Sequence, residues 1–258
     1  MENLKSQATN AMKIIKEILA RVFALWGLIW FITTMLLFYI PFLLLSYFQE
    51  DPLKTKRFIK LSRLWMGVFL PVVGCPLRVK GKKNFKKGES YIVICNHNSF
   101  MDIPISCPAI PGGNKTIAKV ELAKVPLFGL MYRTGSVLVD RKSDASRKES
   151  YTKMKETLNM GLHMCIYPEG TRNTGSNPLN PFHDGAFKLA VNSGKSIIPS
   201  LIFHTRNILP SKKIFYFWPH SMEIHFLPPI EVKQGDTYQQ LKEKSFNVMK
   251  DYYVANNH

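Results

Sequence analysis

A histidine and an aspartate stand close together in the segment YIVICNHNSFMDIP, where His97 precedes Asp102 by five positions. A carboxylate that binds one imidazole nitrogen fixes the tautomer of the ring and stabilises the imidazolium, so such a pair can act as a general base and its orienting partner. A loop histidine that bonds only backbone and an aspartate that caps a helix fit the same spacing. The spacing alone therefore leaves the function of the pair open.

A second polar segment, CIYPEGTR at residues 165–172, also follows an apolar stretch and carries Glu169 and Arg172. If the two apolar stretches are parallel strands of one sheet, their carboxyl ends lie at the same edge, which is where open sheets of this kind bind ligands. We therefore expect His97 and Asp102 to share that edge with Glu169 and Arg172.

No protein nucleophile accompanies the pair. The sequence contains no GxSxG segment, and neither Ser99 nor Cys107 lies in a nucleophile elbow. HExxH, a Walker A loop and a GxGxxG segment after a strand are also absent. A base without a nucleophile suggests that a hydroxyl of the substrate, deprotonated by His97, attacks an activated acyl group directly, with neither a metal nor a covalent intermediate.

Short apolar runs alternate with polar and helical stretches after residue 75, and this alternation predicts the elements that position the two segments. The predicted strands are 91–95, 116–118, 136–139, 163–167, 197–203 and 222–226. The predicted helices cover 151–158 before a C-capping Gly161, 187 to about 194, and a last helix from the capping-box-like TYQQ at 237–240. This succession predicts an α/β fold with a largely parallel central sheet flanked by helices.

The N-terminal part belongs to a membrane. Residues 22–49 contain no charged side chain, and this run exceeds the ~20 residues that one helix needs to cross a bilayer. Pro41 interrupts the run, and a second apolar patch follows at 64–74. Because basic residues flank the run on both sides, either one tilted spanning helix or a bent hairpin in one leaflet fits, and we favour the hairpin. We predict an N-terminal membrane-anchoring helical region over residues 1–75 and an α/β domain over 76–258.

The net charge and the cysteines indicate the kind of partner and the cellular compartment. Lys and Arg total 35 against 18 Asp and Glu, giving a net charge of +17, so the partners are anionic: phospholipid head groups, phosphorylated metabolites, acyl carriers or nucleic acid. No nucleic-acid-binding module is recognisable. The lysine-rich segment 79–89 fits either a lipid contact or a solvated turn between strands. Four cysteines without a CxxC pair indicate reduced, structural thiols in a cytosol-facing protein.

Four blocks in order resemble the 1-acyl-sn-glycerol-3-phosphate acyltransferases, the PlsC-like family. NHNSFMD corresponds to the family's NHxxxxD, YPEGTR to its FPEGTR, and IIPSLI to its apolar strand with Pro199. The remaining block, IAKVELAKVPLFGLMYRTGSVLVDR, matches through Lys119, Glu121, Leu122, Pro126, Gly129, Gly135 and Arg141. The chain departs from the pattern in Tyr167, where phenylalanine is usual, and in His183 and Asp184. The resemblance covers roughly residues 91–202.

The resemblance implies a glycerolipid acyltransferase fold and transfer of an acyl chain from acyl-CoA or acyl carrier protein to the sn-2 hydroxyl of lysophosphatidate, which forms phosphatidate. It implies no metal or other cofactor. His97 would be the general base and Asp102 its orienting partner. A different lysolipid as acceptor stays open as an alternative. The implied partners are a phospholipid membrane, lysophosphatidate and the acyl donor, with no nucleic acid.

The resemblance also implies roles around the acceptor phosphate. Arg172 and the backbone of Gly170 and Thr171 would bind the phosphate, because a guanidinium can donate two charge-assisted hydrogen bonds. Lys119 and Arg141 would assist at the phosphate or at the developing oxyanion. Glu169 would either aim Arg172 or contact the glycerol part of the substrate, and we favour the first. The implied location is a membrane, with the site facing the cytoplasm, at the inner membrane if the source is bacterial.

Overall fold

The computed structural model describes residues 2–256, apart from the side chains of residues 2–6 and 8. The helices are α1 (Glu2–Phe48), α2 (Leu53–Val72), α3 (Asp102–Ala109), α4 (Phe128–Gly135), α5 (Asp144–Asn159), α6 (Gly185–Ser193), α7 (Thr205–Ile208) and α8 (Tyr238–Asn256). The strands are β1 (Leu77–Lys80), β2 (Ile92–Cys95), β3 (Asn114–Lys119), β4 (Ser136–Val139), β5 (His163–Ile166), β6 (Ile197–Phe203) and β7 (Met222–Phe226). Short 3₁₀ turns cover Lys82–Asn84 and Val120–Lys124.

The strands form one sheet in the order β1-β7-β6-β2-β5-β3-β4. From β6 to β4 all neighbours are parallel, whereas β7 runs antiparallel to β6 and pairs in parallel with β1. The predicted largely parallel α/β sheet is therefore confirmed. Because Ile94 of β2 lies opposite Ile166 of β5, the two polar segments that follow these strands leave the sheet side by side.

Side chains of β2 alternate between two apolar cores. Val93 and Cys95 point into a core formed with α1 to α3, whereas Ile92 and Ile94 point into a second core formed with α5, α6 and α8. All four residues are buried. Burial on both faces gives a continuous apolar run, which is typical of a central parallel strand. The strand that leads to His97 is consequently fixed on both sides.

The edge strand β1 was not predicted from the sequence. Its four residues alternate between half-buried and exposed positions, and Arg78 and Lys80 hid its apolar character. Lys80 pairs with Glu223 of β7 at 2.7 Å. A lysine on an edge strand also discourages pairing with another chain. The lysine-rich segment thus begins in a strand, and its contact with lipid stays a prediction.

The first two helices pack antiparallel as a hairpin. Trp26 Nε1 donates to the carbonyl of Val72 at 3.2 Å, and the rings of Phe42 and Phe58 lie 5.0 Å apart. The expectation that Pro41 interrupts the apolar run is wrong, because α1 continues through it. A proline fixes φ near the helical value and removes only one donor, so a long, well-packed helix can accommodate it. The chain reverses at residues 49–52 instead.

The two sides of α1 differ in what they contact. One side buries Ala20, Ala24, Met35, Phe38 and Phe42 against the rest of the protein. The other side exposes large apolar residues along the helix, including Ile18, Val22, Leu25, Ile29, Ile32, Leu36, Leu37, Ile40 and Leu44. By length and composition, the part from Thr9 to Phe48 is sufficient to cross a bilayer. An apolar surface this large needs a covering in water.

All four cysteines carry free thiols, as expected for structural residues. Cys75, Cys95 and Cys165 are buried and Cys107 is half-buried. Burial raises the pKa of Cys75 to about 11, which keeps this thiol protonated and unreactive near neutral pH.

Gly81 and Gly88 offer a matched pair for testing the β1 edge. Both have a positive φ, +79° and +87°, but a Cβ on Gly81 would overlap the carbonyl of Phe226, whereas one on Gly88 meets nothing within 4 Å. We expect Gly88→Ala to lower the free energy of unfolding by only the ~1–2 kcal/mol of the left-handed backbone, and Gly81→Ala to lower it further. Thermal unfolding in detergent measures the difference, and equal midpoints would contradict the predicted clash.

Candidate active site

His97 and Asp102 form the hydrogen bond that their spacing predicted. The loop after β2 carries His97, and Asp102 opens α3, so that His97 Nδ1 lies 2.8 Å from Asp102 Oδ2. The carboxylate accepts at this nitrogen, which therefore carries the proton and leaves Nε2 as the acceptor. Nε2 has no hydrogen-bond partner among the described residues, and the His97 side chain is 16% exposed. The ring thus presents a free basic nitrogen to a ligand.

Asp102 is completely buried and its carboxylate is saturated with donors. Oδ2 also accepts the backbone N–H groups of Asn98 at 2.6 Å and Ser99 at 2.8 Å. Oδ1 accepts the hydroxyl of Thr205 at 2.6 Å. Thr205 opens α7, directly after β6, and is itself buried. Sequence reasoning missed this residue because only the adjacency of β6 and β2 brings it to the site.

Two other polar residues of the loop have structural contacts. The amide of Asn96 donates to the Ile202 carbonyl at 3.0 Å and accepts the Ile202 N–H at 2.7 Å, which ties the loop to β6. The hydroxyl of Ser99 is buried and donates to the carbonyl of Leu209 at 3.0 Å. Ser99 is therefore not placed to serve as a nucleophile.

Glu169 contacts backbone rather than Arg172. Its Oε1 accepts the N–H of His97 and its Oε2 that of Asn180, both at 2.8 Å. No ion pair joins Glu169 to Arg172 in the described part of the chain, so the favoured expectation that Glu169 aims Arg172 is wrong. Gly170, with φ +68°, reverses the backbone between them. Burial raises the pKa of Glu169.

Arg172 carries a guanidinium without a counter-ion among the described residues. Its Cζ lies 3.7 Å from the ring centroid of Phe100, and Nη1 is buried with no hydrogen-bond partner within residues 2–256. No acceptor in the same part of the chain takes the backbone N–H of Thr171 or of Arg172. An unpaired buried donor is costly unless a ligand satisfies it, so this corner favours an anion.

Of the remaining predicted anion ligands, Gly170 and Arg141 already have hydrogen-bond partners within the protein, whereas Lys119 has no ion-pair partner among the described residues. The N–H of Gly170 already donates to the Tyr167 carbonyl at 3.0 Å, so it is not free for a phosphate. Arg141 Nη1 donates to the Gly170 carbonyl at 2.7 Å and braces this turn. Lys119 ends β3 at the same edge of the sheet, is exposed, and forms no ion pair with a described residue. Arg141 therefore supports the turn at Gly170, and Lys119 is available to bind a ligand.

Tyr167, the departure from the usual phenylalanine, is accommodated as expected. Its ring centroid lies 4.5 Å from that of His97, and its hydroxyl lies 2.7 Å from Ser106 Oγ on α3. Burial raises the pKa of this phenol. The ring therefore supports one face of the imidazole, while the extra hydroxyl finds a partner.

An apolar cavity of about 380 Å³ adjoins the site between the α1–α2 hairpin, α3 and α4. Phe100 lines the cavity and also lies against Arg172, so an unpaired cation and an apolar cavity meet at one ring. Other lining residues are Phe31, Phe58, Trp65, Ile103, Cys107, Phe128 and Met131. Within the described residues, no group of three or more His, Cys, Asp or Glu side chains is arranged to hold a metal ion.

A buried carboxylate, an imidazole with one free nitrogen and an adjacent apolar cavity lie together at the carboxyl edge of the parallel part of the sheet. Residues 76–202 match the family described as Acyltransferase, and this part of the chain is an acyltransferase domain. The protein is accordingly an acyltransferase.

Curated relatives carry a more specific name. The 1-acyl-sn-glycerol-3-phosphate acyltransferase of Borreliella burgdorferi is 28% identical over 200 residues, which cover 75% of this chain and 76% of the relative. The human alpha enzyme of that name is 29% identical over 67% of this chain and 61% of its own. The yeast enzyme is 29% identical over 74% and 65%. The matched region thus spans less than two thirds of the human and yeast relatives.

A solved structure shares the fold. The 1-acyl-sn-glycerophosphate (LPA) acyltransferase PlsC from Thermotoga maritima superposes with a TM-score of 0.78 and 22% identity, covering 92% of this chain and 96% of that protein. The long apolar N-terminal helix and the mostly parallel sheet therefore belong to a fold that is already known.

Thr205 provides a test of how the Asp102 carboxylate is held. Thr205→Val preserves the shape of the side chain but removes the hydroxyl, and a hydrogen bond to a charged group contributes ~1.5–3 kcal/mol. We expect acyltransferase kcat to fall roughly ten- to a hundredfold in Thr205→Val and to stay close to wild type in Thr205→Ser. Equal kcat values in the two variants, with matched thermal unfolding, would contradict a positioning role.

Proposed function

We propose that the protein transfers an acyl chain from acyl-CoA or acyl carrier protein to the sn-2 hydroxyl of 1-acylglycerol 3-phosphate and thereby forms phosphatidate. The observation that carries this proposal is the His97–Asp102 pair, 2.8 Å apart, with His97 Nε2 free. The serine nearest along the chain, Ser99, donates its hydroxyl to backbone instead. The printed names of the relatives support the choice of acceptor.

The proposed reaction has two steps, attack of the hydroxyl on the thioester carbonyl and collapse of the tetrahedral intermediate. His97 Nε2 takes the proton of the sn-2 hydroxyl while the hydroxyl oxygen attacks the thioester carbonyl, whose π electrons move to oxygen. When the tetrahedral intermediate collapses, the carbonyl re-forms, the C–S bond breaks, and the imidazolium returns its proton to the leaving thiolate. Asp102 stabilises the imidazolium between these steps. The thioester is a substrate, and the proposed route uses no metal, cofactor or acyl-enzyme.

Arg172 is the proposed ligand of the acceptor phosphate. Its buried Nη1 lacks a hydrogen-bond partner among residues 2–256. The backbone N–H groups of Thr171 and Arg172 also donate to no acceptor in that part of the chain. A phosphate oxygen satisfies such donors with charge-assisted bonds. Lys119, unpaired at the end of β3, adds positive charge at the same edge, whereas Arg141 acts through its bond to Gly170.

The apolar cavity beside Phe100 is the proposed place for an acyl chain. Its lining comes from the hairpin and from α3 and α4, and nearly all of it is apolar. Pockets of this kind bind hydrocarbon by removing it from water, at ~25 cal/mol per Å² buried. An acyl chain in the cavity and a phosphate on Arg172 would place the reacting groups near Phe100, three residues after His97.

We also propose that α1 and α2 embed the protein in one leaflet of a membrane. The buried side of α1, from Ala20 to Phe42, packs against the rest of the protein over most of the uncharged run. A helix attached along this length lies beside the protein rather than projecting from it, and its exposed apolar side suits an in-plane orientation. The four free thiols support a site that faces the cytoplasm, because reducing compartments maintain thiols.

His97→Ala tests the proposed base. Loss of general-base assistance is expected to lower phosphatidate formation about 10²- to 10⁴-fold, whereas His220→Ala, a change in the segment before β7, serves as the matched control. Acyl transfer is measured for the membrane-reconstituted chain with acyl-CoA and acyl carrier protein donors and several lysolipid acceptors. Undiminished activity in His97→Ala would overturn the mechanism. His97-dependent acylation of a different lysolipid alone would keep the mechanism and change the acceptor.

Arg172→Ala tests the phosphate contact separately. Removing charge-assisted hydrogen bonds, worth ~1.5–3 kcal/mol, is expected to raise the KM for lysophosphatidate roughly ten- to a hundredfold while leaving the KM for 1-acylglycerol, which has no phosphate, nearly unchanged. Arg78→Ala on the distant edge strand controls for general loss of charge. An unchanged KM for lysophosphatidate would refute the assignment.

A further inference from the structure

The loop at residues 209–218, LPSKKIFYFW, displays apolar side chains at its tip. Ile214 is 89% exposed, the highest value among the exposed large hydrophobic residues of the described chain, and its neighbour Phe215 is 49% exposed. Lys212 and Lys213 precede them. A single exposed apolar residue is ordinary, but an adjacent pair behind two lysines is typical of segments that lie at a membrane surface.

The backbone at the tip is held in a strained conformation that keeps Ile214 and Phe215 exposed. Phe215 has φ +48°, a conformation that bulky residues rarely adopt. Such strain persists only where surrounding contacts impose it, and it clusters at functional segments. The contacts are present here: the Phe217 N–H donates to the Ala20 carbonyl at 3.2 Å, and Lys213 pairs with Glu17. The loop is thus fixed to α1 rather than free to fold its apolar tip away.

The base of the loop has the residues of a membrane–water interface. Lys16 lies 5.0 Å from the centre of the Trp218 ring, while Arg21 and Lys213 lie 5.8 and 4.3 Å from that of Tyr216. Tryptophan, tyrosine and long basic side chains concentrate where hydrocarbon meets water. These contacts lie beside Val22, where the uncharged run of α1 begins. The loop therefore meets α1 at the boundary between its charged and apolar parts.

The apolar surface continues from α1 into the loop. A cavity of about 460 Å³ is lined by Ala24 and Leu28 of α1, by Phe215 of the loop and by Phe100 next to the active site. A lipid leaflet that covers the exposed side of α1 would meet this surface without a polar gap.

We propose that the 209–218 loop is a second membrane contact, in which Ile214 and Phe215 insert among the acyl chains of the leaflet that holds α1, while Lys212 contacts anionic head groups. This inference rests on the proposed membrane attachment of α1 and extends it to a part of the chain that is far away in sequence. The partner is a lipid surface, and its negative charge complements the charge of Lys212.

Site-specific labels in the full chain test the proposal. An environment-sensitive fluorophore is attached to Ile214→Cys, to Leu37→Cys on the exposed side of α1 as the membrane reference, and to Thr152→Cys on α5, which packs on the opposite face of the sheet. The parent protein, treated with the same fluorophore, corrects for labelling of its own four thiols. Each chain is reconstituted into phosphatidylcholine vesicles with or without phosphatidylglycerol, and quenching by acyl-chain spin labels reports contact with hydrocarbon.

The proposal expects a blue-shifted emission and strong lipid quenching at position 214, approaching position 37, and neither change at position 152. Phosphatidylglycerol is expected to increase quenching at 214, and Lys212→Gln to abolish that increase. Quenching at 37 without quenching at 214 would overturn the loop insertion while the α1 anchor stands. A blue shift at 214 without lipid quenching would also overturn it, because the side chain would then lie inside the protein. Absence of quenching at both positions would remove the membrane attachment itself.

Discussion

The buried carboxylate of Asp102 accepts four hydrogen bonds, and these bonds connect three segments of the chain. Three come from the loop after β2, two from its backbone and one from the His97 ring, and the fourth comes from Thr205 after β6. A completely buried charge is tolerable only when donors replace its lost hydration. The neighbouring ends of β2 and β6 therefore have to converge on this one side chain, and the geometry of the site depends on that requirement.

A second carboxylate holds His97 from the other side. Glu169, which follows β5, accepts the backbone N–H of His97, while Asp102 accepts at its ring. Both acids are satisfied largely by neutral donors and neither pairs with a cationic side chain of Lys or Arg. This leaves Arg172 positively charged and uncompensated among the described residues. The site thus combines a rigidly held imidazole with a guanidinium that has no counter-ion among the described residues, and the proposed acyl transfer would exploit this electrostatic preorganisation.

Sequence reasoning succeeded where the determining interactions are local. The His97–Asp102 pair spans one short loop, and the strands β4, β6 and β7 were predicted with the observed bounds. The first two are largely apolar runs, and β7 alternates apolar with polar residues. It failed where distant contacts decide. Thr205 reaches Asp102 across 103 positions, and the charged side chains of β1 concealed an edge strand that β7 completes. Glu169 was favoured as the residue that aims Arg172 over a contact to the substrate, whereas its carboxylate accepts the backbone N–H groups of His97 and Asn180.

The position of β1 also determines the order in which the protein folds during its translation. Among the described residues this strand is the first along the chain, yet it pairs only with β7, the last, so that Leu77 lies opposite Met222. During synthesis the sheet therefore stays open at this edge until residue 226 has emerged from the ribosome. The apolar helix α1 is available from the start, and N-terminal segments engage their surroundings first. On the proposed membrane attachment, α1 therefore reaches lipid before the sheet closes, and the α/β domain completes its folding at that surface.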